Sequence, residues 1–314
     1  MTETGISRTR LPDPLPGRLE TLDRLLPPKT RTLLSGTHPL SFLLFDRGID
    51  LWEARWENRP FLVAEAGGHS FLPAPPYWTL PSGNSGGLEH SRFWKECARS
   101  LASWNNGVPG RLDGLPMGFG IPGYPPPRRS EVDYLLDRTG WIPLGGRSFR
   151  AMRWERNRLF RLRPDVRAVP WDNTFFSDAI ILLERFFANR RERSKDPYIL
   201  ALLDDQRAAH EKALSHSDAL GLEGWTLVSG HRLIGIEWYA RGSGDAVCFL
   251  EARDPDITGI PVFLTLSYFE AHPDCRWINI QGSAGVPSLE RAKSLDCPAL
   301  AVPVHSQDLP PGVP

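Results

Sequence analysis

The second half of the chain carries a regular order of helix and strand patterns, and this order constrains the fold more than any other feature. Two amphipathic helix patterns precede three strand patterns that are separated by short glycine-containing spacers. The helices are predicted at 175–193, 198–215, 261–271 and 289–294, and the strands at 225–228, 233–240, 246–252, 276–280 and 300–304. The pattern predicts an α/β (α+β) fold with mixed sheets flanked by helices.

The first half repeats this order more loosely. Helices are predicted at 19–26, 91–104 and 131–136, and strands at 41–45 and 59–65. A chain of 314 residues has room for two domains of about 150 residues each. We therefore predict a tandem pair of related domains, with an N-terminal domain at 18–146, a basic connecting helix at 147–168 and a C-terminal domain at 169–306.

A cationic segment interleaved with aromatic residues lies at 144–159. It predicts a folded helix from about Ser148 to Arg161 with a local positive field, in a chain whose 37 basic and 37 acidic residues otherwise cancel. Such a field suits a polyanion, a phosphate-bearing donor or a nucleic-acid end. The same pattern also fits a solvated helix face whose arginines pair with acidic neighbours, for which the candidates are Glu131, Asp133, Glu155 and Asp165.

Composition excludes several other classes of protein. Balanced charge argues against a general nucleic-acid coat protein, although contact through one basic face remains possible. No uncharged apolar run approaches the roughly 18 to 20 residues that cross a bilayer, and the first ten residues lack the apolar stretch of a signal peptide. The four cysteines form no CxxC pair, so neither a zinc site nor a disulfide framework is predicted. We expect a cytoplasmic protein.

Three motifs follow one another over about residues 130–305. The first is the basic segment, the second is the strand around Phe249 with Glu251, and the third is the segment 278–293. The characteristic positions of the first and third motifs are Leu144, Gly146, Arg147, Phe149, Arg153, Asn157 and Leu159, followed by Asn279, Gly285, Leu289 and Lys293. In this order the motifs resemble those of the C-terminal domain of the phosphatidylglycerol lysyltransferases, with Glu251 in register and the third motif matching without gaps.

This resemblance implies a tandem GNAT fold and the transfer of an aminoacyl group from an aminoacyl-tRNA to an amine or hydroxyl of a small molecule, peptide or lipid headgroup. The charged tRNA is a co-substrate, and no further cofactor is implied. The basic segment would lie near the tRNA acceptor end, where arginines can pair with phosphate. The candidates for tRNA or phosphate binding are Arg147, Arg150, Arg153, Arg156, Arg158, Arg291 and Lys293, although helical spacing prevents all the arginines of the basic segment from sharing one face.

The predicted catalytic residues are Glu251, Asn279, Gln281 and Ser283. Glu251 would act as a base or bind the aminoacyl ammonium, while Asn279 and Gln281 would hold the substrate by hydrogen bonds. Structural roles are open for two of them: Glu251 also fits a strand-end partner of Arg253, and Asn279 also fits a turn cap.

The chain departs from the family where the third motif carries two acidic residues. Gln281 and Ser283 occupy these positions, which predicts a neutral transferred amino acid in place of lysine. Two other functions remain open, namely a GNAT acyltransferase that uses acyl-CoA and a non-catalytic binding protein with the same fold. The first would require a Gly-rich loop that opens a helix, and the C-terminal half contains none.

Overall fold

A computed structural model describes residues 6–11, 15–26, 34–79 and 87–312. Its internal contacts divide the chain into two compact units. The first contains the chain up to Asp133 together with the segment from Val302, and the second runs from Tyr134 to Ala301. In the parts of the chain that the structure describes, no helix combines the length and the apolarity needed to span a membrane.

The first unit contains an antiparallel four-stranded sheet in the order β1-β2-β3-β4. Its core combines this sheet with one long helix and buries Trp56, Phe61 and Phe93. The elements are β1 (Ile6–Arg10), α1 (Leu15–Leu25), α2 (Pro39–Leu44), β2 (Ile49–Trp56), β3 (Arg59–Ala66), β4 (His69–Phe71), α3 (Gly87–Trp104) and β5 (Gly110–Leu115). The strand β6 (Arg128–Asp137) runs through the boundary between the units, and β12 (Leu300–Leu309) pairs with β5 in the first unit.

The second unit is built on a mixed sheet. The elements after β6 are α4 (Arg138–Trp141), α5 (Arg150–Leu162), β7 (Arg167–Pro170), α6 (Phe176–Glu192), α7 (Pro197–Leu220), β8 (Leu222–Ser229), β9 (Arg232–Arg241), β10 (Asp245–Arg253), α8 (Ile260–Ala271), β11 (Trp277–Asn279) and α9 (Pro287–Leu295). The strand order is β6-β11-β10-β9-β8-β7. All neighbouring strands in this order are antiparallel except β10 and β11, which are parallel.

Two predicted elements of the first half have the wrong type. The segment 41–45, predicted as a strand, is part of the helix α2, because Pro39 opens that helix and the His38 side chain accepts a hydrogen bond from the Leu40 N–H. The segment 131–136, predicted as a helix, belongs to β6. Its residues Leu135 to Asp137 pair with β11, so sheet pairing overrides the local pattern.

The basic helix α5 lies inside the second unit and does not form a separate connection at 147–168. It packs against α8, where the rings of Phe160 and Phe263 are tilted by 59° with their centroids 5.0 Å apart, and Leu159 joins a core with Ile260 and Leu264. Gly259, immediately before α8, permits this approach. Its φ is +88°, and a Cβ atom there would lie 2.7 Å from the backbone oxygen of Glu155.

We expect Gly259→Ala to lower the free energy of unfolding by about 2–4 kcal/mol, because the new Cβ meets backbone and the residue stays in the left-handed region. Gly146→Ala is the matched control. Gly146 has a φ of +81° but no neighbour within 4 Å of the added carbon, so only about 1–2 kcal/mol should be lost. Equal losses in chemical denaturation would contradict the close packing of α5 on α8.

Candidate functional site

The parallel strands β10 and β11 stop pairing midway along β10. Their register runs from Asp245 opposite Trp277 to Val247 opposite Asn279. Beyond this point β10 continues along β9, with a bulge between Cys248 and Leu250, whereas the chain after Asn279 stays with β6 through hydrogen bonds between Ile280, Gln281 and Tyr134. The strands therefore part, and the carboxyl-terminal half of β10 is left without a partner on its β11 side among the described residues.

Glu251 lies on this half of β10. Its side chain is 37% exposed, and Oε1 accepts from Nη1 of Arg253 at 3.1 Å. The salt bridge to Arg253, one of the two roles open from the sequence, is therefore present. Its carboxylate remains accessible to a second cation, so the predicted catalytic or ammonium-binding role remains a prediction.

Glu237, which the sequence analysis did not identify, stands directly opposite Glu251 on β9. It is 2% exposed, and the hydroxyl of Tyr239 donates to its Oε2. Burial and then the neighbouring Glu251 raise the pKa of Glu237 well above its usual range. Of the two facing carboxyl groups, Glu237 is therefore the one whose protonated form is favoured.

Asp296, the residue that ends α9, is the third carboxyl group at this place. Burial and then the charge of Glu251 raise its pKa to about 7, while Arg253 and Lys293 oppose the rise and Glu155 adds to it. We call Glu237, Glu251 and Asp296 the acidic cluster. Burial favours the protonated form of Glu237, and Asp296, with a pKa of about 7, exchanges a proton near neutral pH, which is the arrangement that proton transfer requires.

His210 of α7 lies beneath this strand, against the backbone of Glu251. It is 2% exposed, and burial lowers its pKa to about 4, so the ring is neutral. The cation on the helix side is Arg190 of α6, which interacts electrostatically with Glu251.

Three predicted site residues lie at the end of β11 and in the loop that follows it. Asn279 is fully buried, and its Oδ1 accepts from the Gln281 N–H at 2.7 Å, which is the turn-cap geometry left open above. Gln281 adopts a left-handed backbone with φ of +63°, and Ser283 is 5% exposed. Asn279 therefore shapes the loop, and the substrate roles of these residues remain predictions.

Lys293 and Tyr198 hold the same loop from outside. The Lys293 ammonium donates to the carbonyl oxygen of Ile280, and the Tyr198 hydroxyl donates to that of Ala284 at 2.7 Å. Arg291, on the same helix as Lys293, is exposed. Lys293 therefore lies beside the acidic cluster, but its ammonium is hydrogen-bonded to a backbone carbonyl. The guanidinium of Arg291 is in solvent.

The arginines of the basic segment divide into two groups. The Arg153 side chain reaches back to the turn that precedes α5. Its guanidinium donates there to the carbonyl oxygens of Leu144 and, at 2.8 Å, of Gly146. Arg156 lies 3.4 Å from Asn157 Oδ1. Arg147 and Arg150 instead project into solvent. They line a shallow depression with Ser148, Ala151 and Trp154, which we call the basic depression.

We expect Arg153→Ala to lower the free energy of unfolding by about 1–3 kcal/mol, because two backbone carbonyls lose a charged donor. The loss should change little with ionic strength, since a half-buried contact is weakly screened. Arg150→Ala is the control and should leave stability within about 0.5 kcal/mol of the unmodified protein. A stability-neutral Arg153→Ala that weakens anion binding only at low salt would contradict the structural role.

The basic depression and the acidic cluster meet at the end of α9. The thiol of Cys297 donates to the carbonyl oxygen of Ser148 at 3.2 Å, and Cys297 directly follows Asp296. From the α5 side, Glu155 adds to the negative field at Asp296. A cationic surface and a carboxyl-lined opening are therefore neighbours within the second unit.

Comparison with known proteins finds no matching family model and no matching curated protein. Among solved structures, a conserved protein of unknown function from Bacteroides thetaiotaomicron VPI-5482 superposes with a TM-score of 0.74 at 17% identity, over 96% of this chain and 100% of its own. L-PGS from Bacillus licheniformis matches with a TM-score of 0.54 at 12% identity, over 94% of this chain and 91% of its own. The C-terminal domain of a protein named as a lysylphosphatidylglycerol synthetase from Agrobacterium fabrum matches with a TM-score of 0.53 at 10% identity, over 95% of this chain and 87% of its own.

These likenesses establish the fold. The prediction of an α/β architecture with mixed sheets flanked by helices is confirmed, and so is the resemblance to the lysyltransferase C-terminal domain at the level of structure. At such identities the comparison extends to the fold alone, so the chemistry has to be argued from the acidic cluster and its surroundings.

Proposed function

We propose that this chain is a GNAT-related acyltransferase that moves an aminoacyl group from an aminoacyl-tRNA to an amine or hydroxyl acceptor. The observation that carries the proposal is the junction of the acidic cluster with the basic depression through Ser148 and Cys297. An aminoacyl-tRNA presents a cationic amino group and a polyanionic backbone close together, so it needs these two surfaces side by side. The shared fold with L-PGS supports the same conclusion.

In this proposal the half-exposed Glu251 binds the ammonium of the aminoacyl group, alongside Arg253. The acceptor nitrogen or oxygen attacks the ester carbonyl, and Asp296 takes the proton that the acceptor loses. The bond between the carbonyl carbon and the ribose oxygen then breaks, and the proton passes from Asp296 to that oxygen. Burial favours the protonated form of Glu237 and so limits the negative charge next to Glu251.

The ester of an aminoacyl-tRNA is already activated, so orientation and proton transfer are the main requirements. The proposal accordingly includes no cofactor besides the charged tRNA, and it assigns the reaction to the cytoplasm. A neutral amino acid remains the expected donor group, because Gln281 and Ser283 stand where the family carries carboxylates. The acceptor class stays as broad as the resemblance implies: a small molecule, a peptide or a lipid headgroup.

The proposal is tested by retention of aminoacylated tRNAs on the purified protein, with deacylated tRNA and acetyl-CoA as controls. Selective retention of one charged species supports the proposal and identifies the donor amino acid. Saturable binding of acetyl-CoA with no retention of charged tRNA would replace the proposal by an acyl-CoA-dependent transferase. Binding of neither ligand would favour a non-catalytic protein of the same fold.

A further inference from the structure

An exposed tryptophan surrounded by arginines stands out on the surface of the second unit. Trp154 of α5 is 55% exposed, although most large apolar side chains of this unit lie in its core. Arg150 and Ala151 lie one turn before it, and Arg158 lies one turn after it. The basic depression therefore adjoins the indole on its N-terminal side, while the guanidinium of Arg158 stacks on the ring at 5.1 Å.

The arginines of the depression are not paired with any acid among the residues that the structure describes. Within the ranges that the structure describes, neither Arg147 nor Arg150 forms a salt bridge, in contrast to many other arginines of the chain, such as Arg185 with Asp254 at 3.0 Å. Two solvated guanidinium groups lie beside an indole that is 55% exposed and carries Arg158 against its ring. Guanidinium groups bind phosphate, and an exposed indole stacks on planar bases.

A lipid surface is the competing ligand for a basic and aromatic helix, and the packing argues against it. The outward stripe of α5 consists of Arg150, Trp154, Asn157 and Arg161, which gives one apolar side chain among polar ones. Phe160 and Leu162 are also exposed, at 43% and 65%, but helical spacing places them on either side of this stripe, and Phe160 contacts Phe263 of α8. An interfacial helix instead needs a broad apolar face.

We propose that the basic depression binds an unpaired nucleotide at the 3′ end of an RNA, with its base stacked on Trp154 and its phosphate between Arg147 and Arg150. The inference rests on the proposed function, since Ser148 of the depression contacts Cys297 next to Asp296 of the acidic cluster. A terminal nucleotide held here would deliver its ester toward that cluster. Trp154 and the two arginines are thus positioning residues for the donor.

The test measures binding of fluorescent RNA hairpins to the full chain, with either a single-stranded 3′ overhang or a blunt end. We expect the overhang to bind more tightly, and Trp154→Ala to weaken its binding by roughly 5- to 100-fold, as expected for the loss of one base–aromatic stack. Trp154→Phe should restore most of the affinity. Arg150→Ala should reduce the slope of log affinity against log salt by about 0.7, whereas Arg161→Ala, on the same helix but outside the depression, should leave it nearly unchanged.

Three results would overturn the inference: equal binding of blunt and overhanging hairpins, unchanged affinity in both Trp154 variants, or displacement of the RNA by anionic phospholipid vesicles with loss of the Trp154 effect. Failure here is distinguishable from failure of the proposed function. Transfer from charged tRNA that is insensitive to Trp154 would remove only the stacking site. Trp154-dependent RNA binding without transfer from any charged tRNA would leave the site in place and remove the transferase proposal.

Discussion

Replacing Glu251 with glutamine should lower kcat/KM for aminoacyl transfer roughly 30- to 1000-fold while the protein stays folded. The expected size is that of breaking a hydrogen-bonded charge pair in a partly desolvated site. Glu251 lies where β10 has left β11, with 37% of its side chain exposed, so glutamine fits the same space but lacks the charge that attracts an ammonium.

Comparing a normal donor with an N-acetylated donor tests the ammonium-binding role of Glu251 more specifically than the rate alone. N-acetylated aminoacyl-tRNA lacks the ammonium, so the unmodified protein should discriminate strongly against it, and Glu251→Gln should lose most of that discrimination. Glu290→Gln serves as the matched control, because Glu290 is an exposed acid on α9 outside the acidic cluster. If Glu251→Gln retained full discrimination against the acetylated donor, Glu251 would not be the ammonium ligand.

The Asp296→Asn variant should lose the pH dependence of transfer near neutrality and about 10²-fold or more of kcat. Burial raises the pKa of Asp296 to about 7, and only the ionised form accepts a proton. The rate of the unmodified protein should therefore fall about tenfold for each pH unit below 7 and level off above it. Measuring kcat across this range at constant ionic strength checks the expectation.

Asp274→Asn is the control for this profile. Asp274 pairs with Arg241 at 2.7 Å, and this hydrogen bond lowers its pKa, so it stays ionised throughout the range. The Asp274→Asn variant should therefore keep the fall in kcat below pH 7. If the pH profile of kcat were unchanged in Asp296→Asn, another group would cause the fall below pH 7. Glu237 would be the next candidate because its pKa is also raised.

The second half of the fold could be predicted because its signals are local. Pro197 at the first helical position marks the start of α7, and glycine-containing spacers separate the meander strands. The predicted helix ends at 215, next to the non-helical backbone of His216, whereas α7 continues to Leu220 and is capped by Gly221. The predicted element type was wrong in two segments whose sequences show neither the helical nor the strand period of apolar residues. Residues 41–45 suit either a strand or a buried helix, and the His38 cap decides in favour of the helix. In β6, the residues from Val132 to Leu136 are all buried, so no alternating pattern marks the strand.

The candidate site was only partly predictable because its members depend on pairing between strands. Motif resemblance identified Glu251, but Glu237 becomes its neighbour only through the register of β9 and β10. A signal for Glu237 was present, since a single acid stands in the otherwise apolar run from Leu233 to Ala240, and a buried unpaired acid is rare. Asp296 had no such signal. Likewise, the structural use of Arg153 depends on the carbonyl groups of a left-handed turn at Leu144 and Gly146.

The most direct test follows a labelled aminoacyl group. A pool of tRNAs charged with labelled amino acids is incubated with the protein and a mixture of small-molecule, peptide and lipid acceptors, and the label is followed from tRNA into product. The account predicts that label leaves one class of charged tRNA, appears on an acceptor, and does so far more slowly with Glu251→Gln. Label that remains on every tRNA, while the protein transfers an acetyl group from acetyl-CoA by a route that needs Glu251, would contradict it.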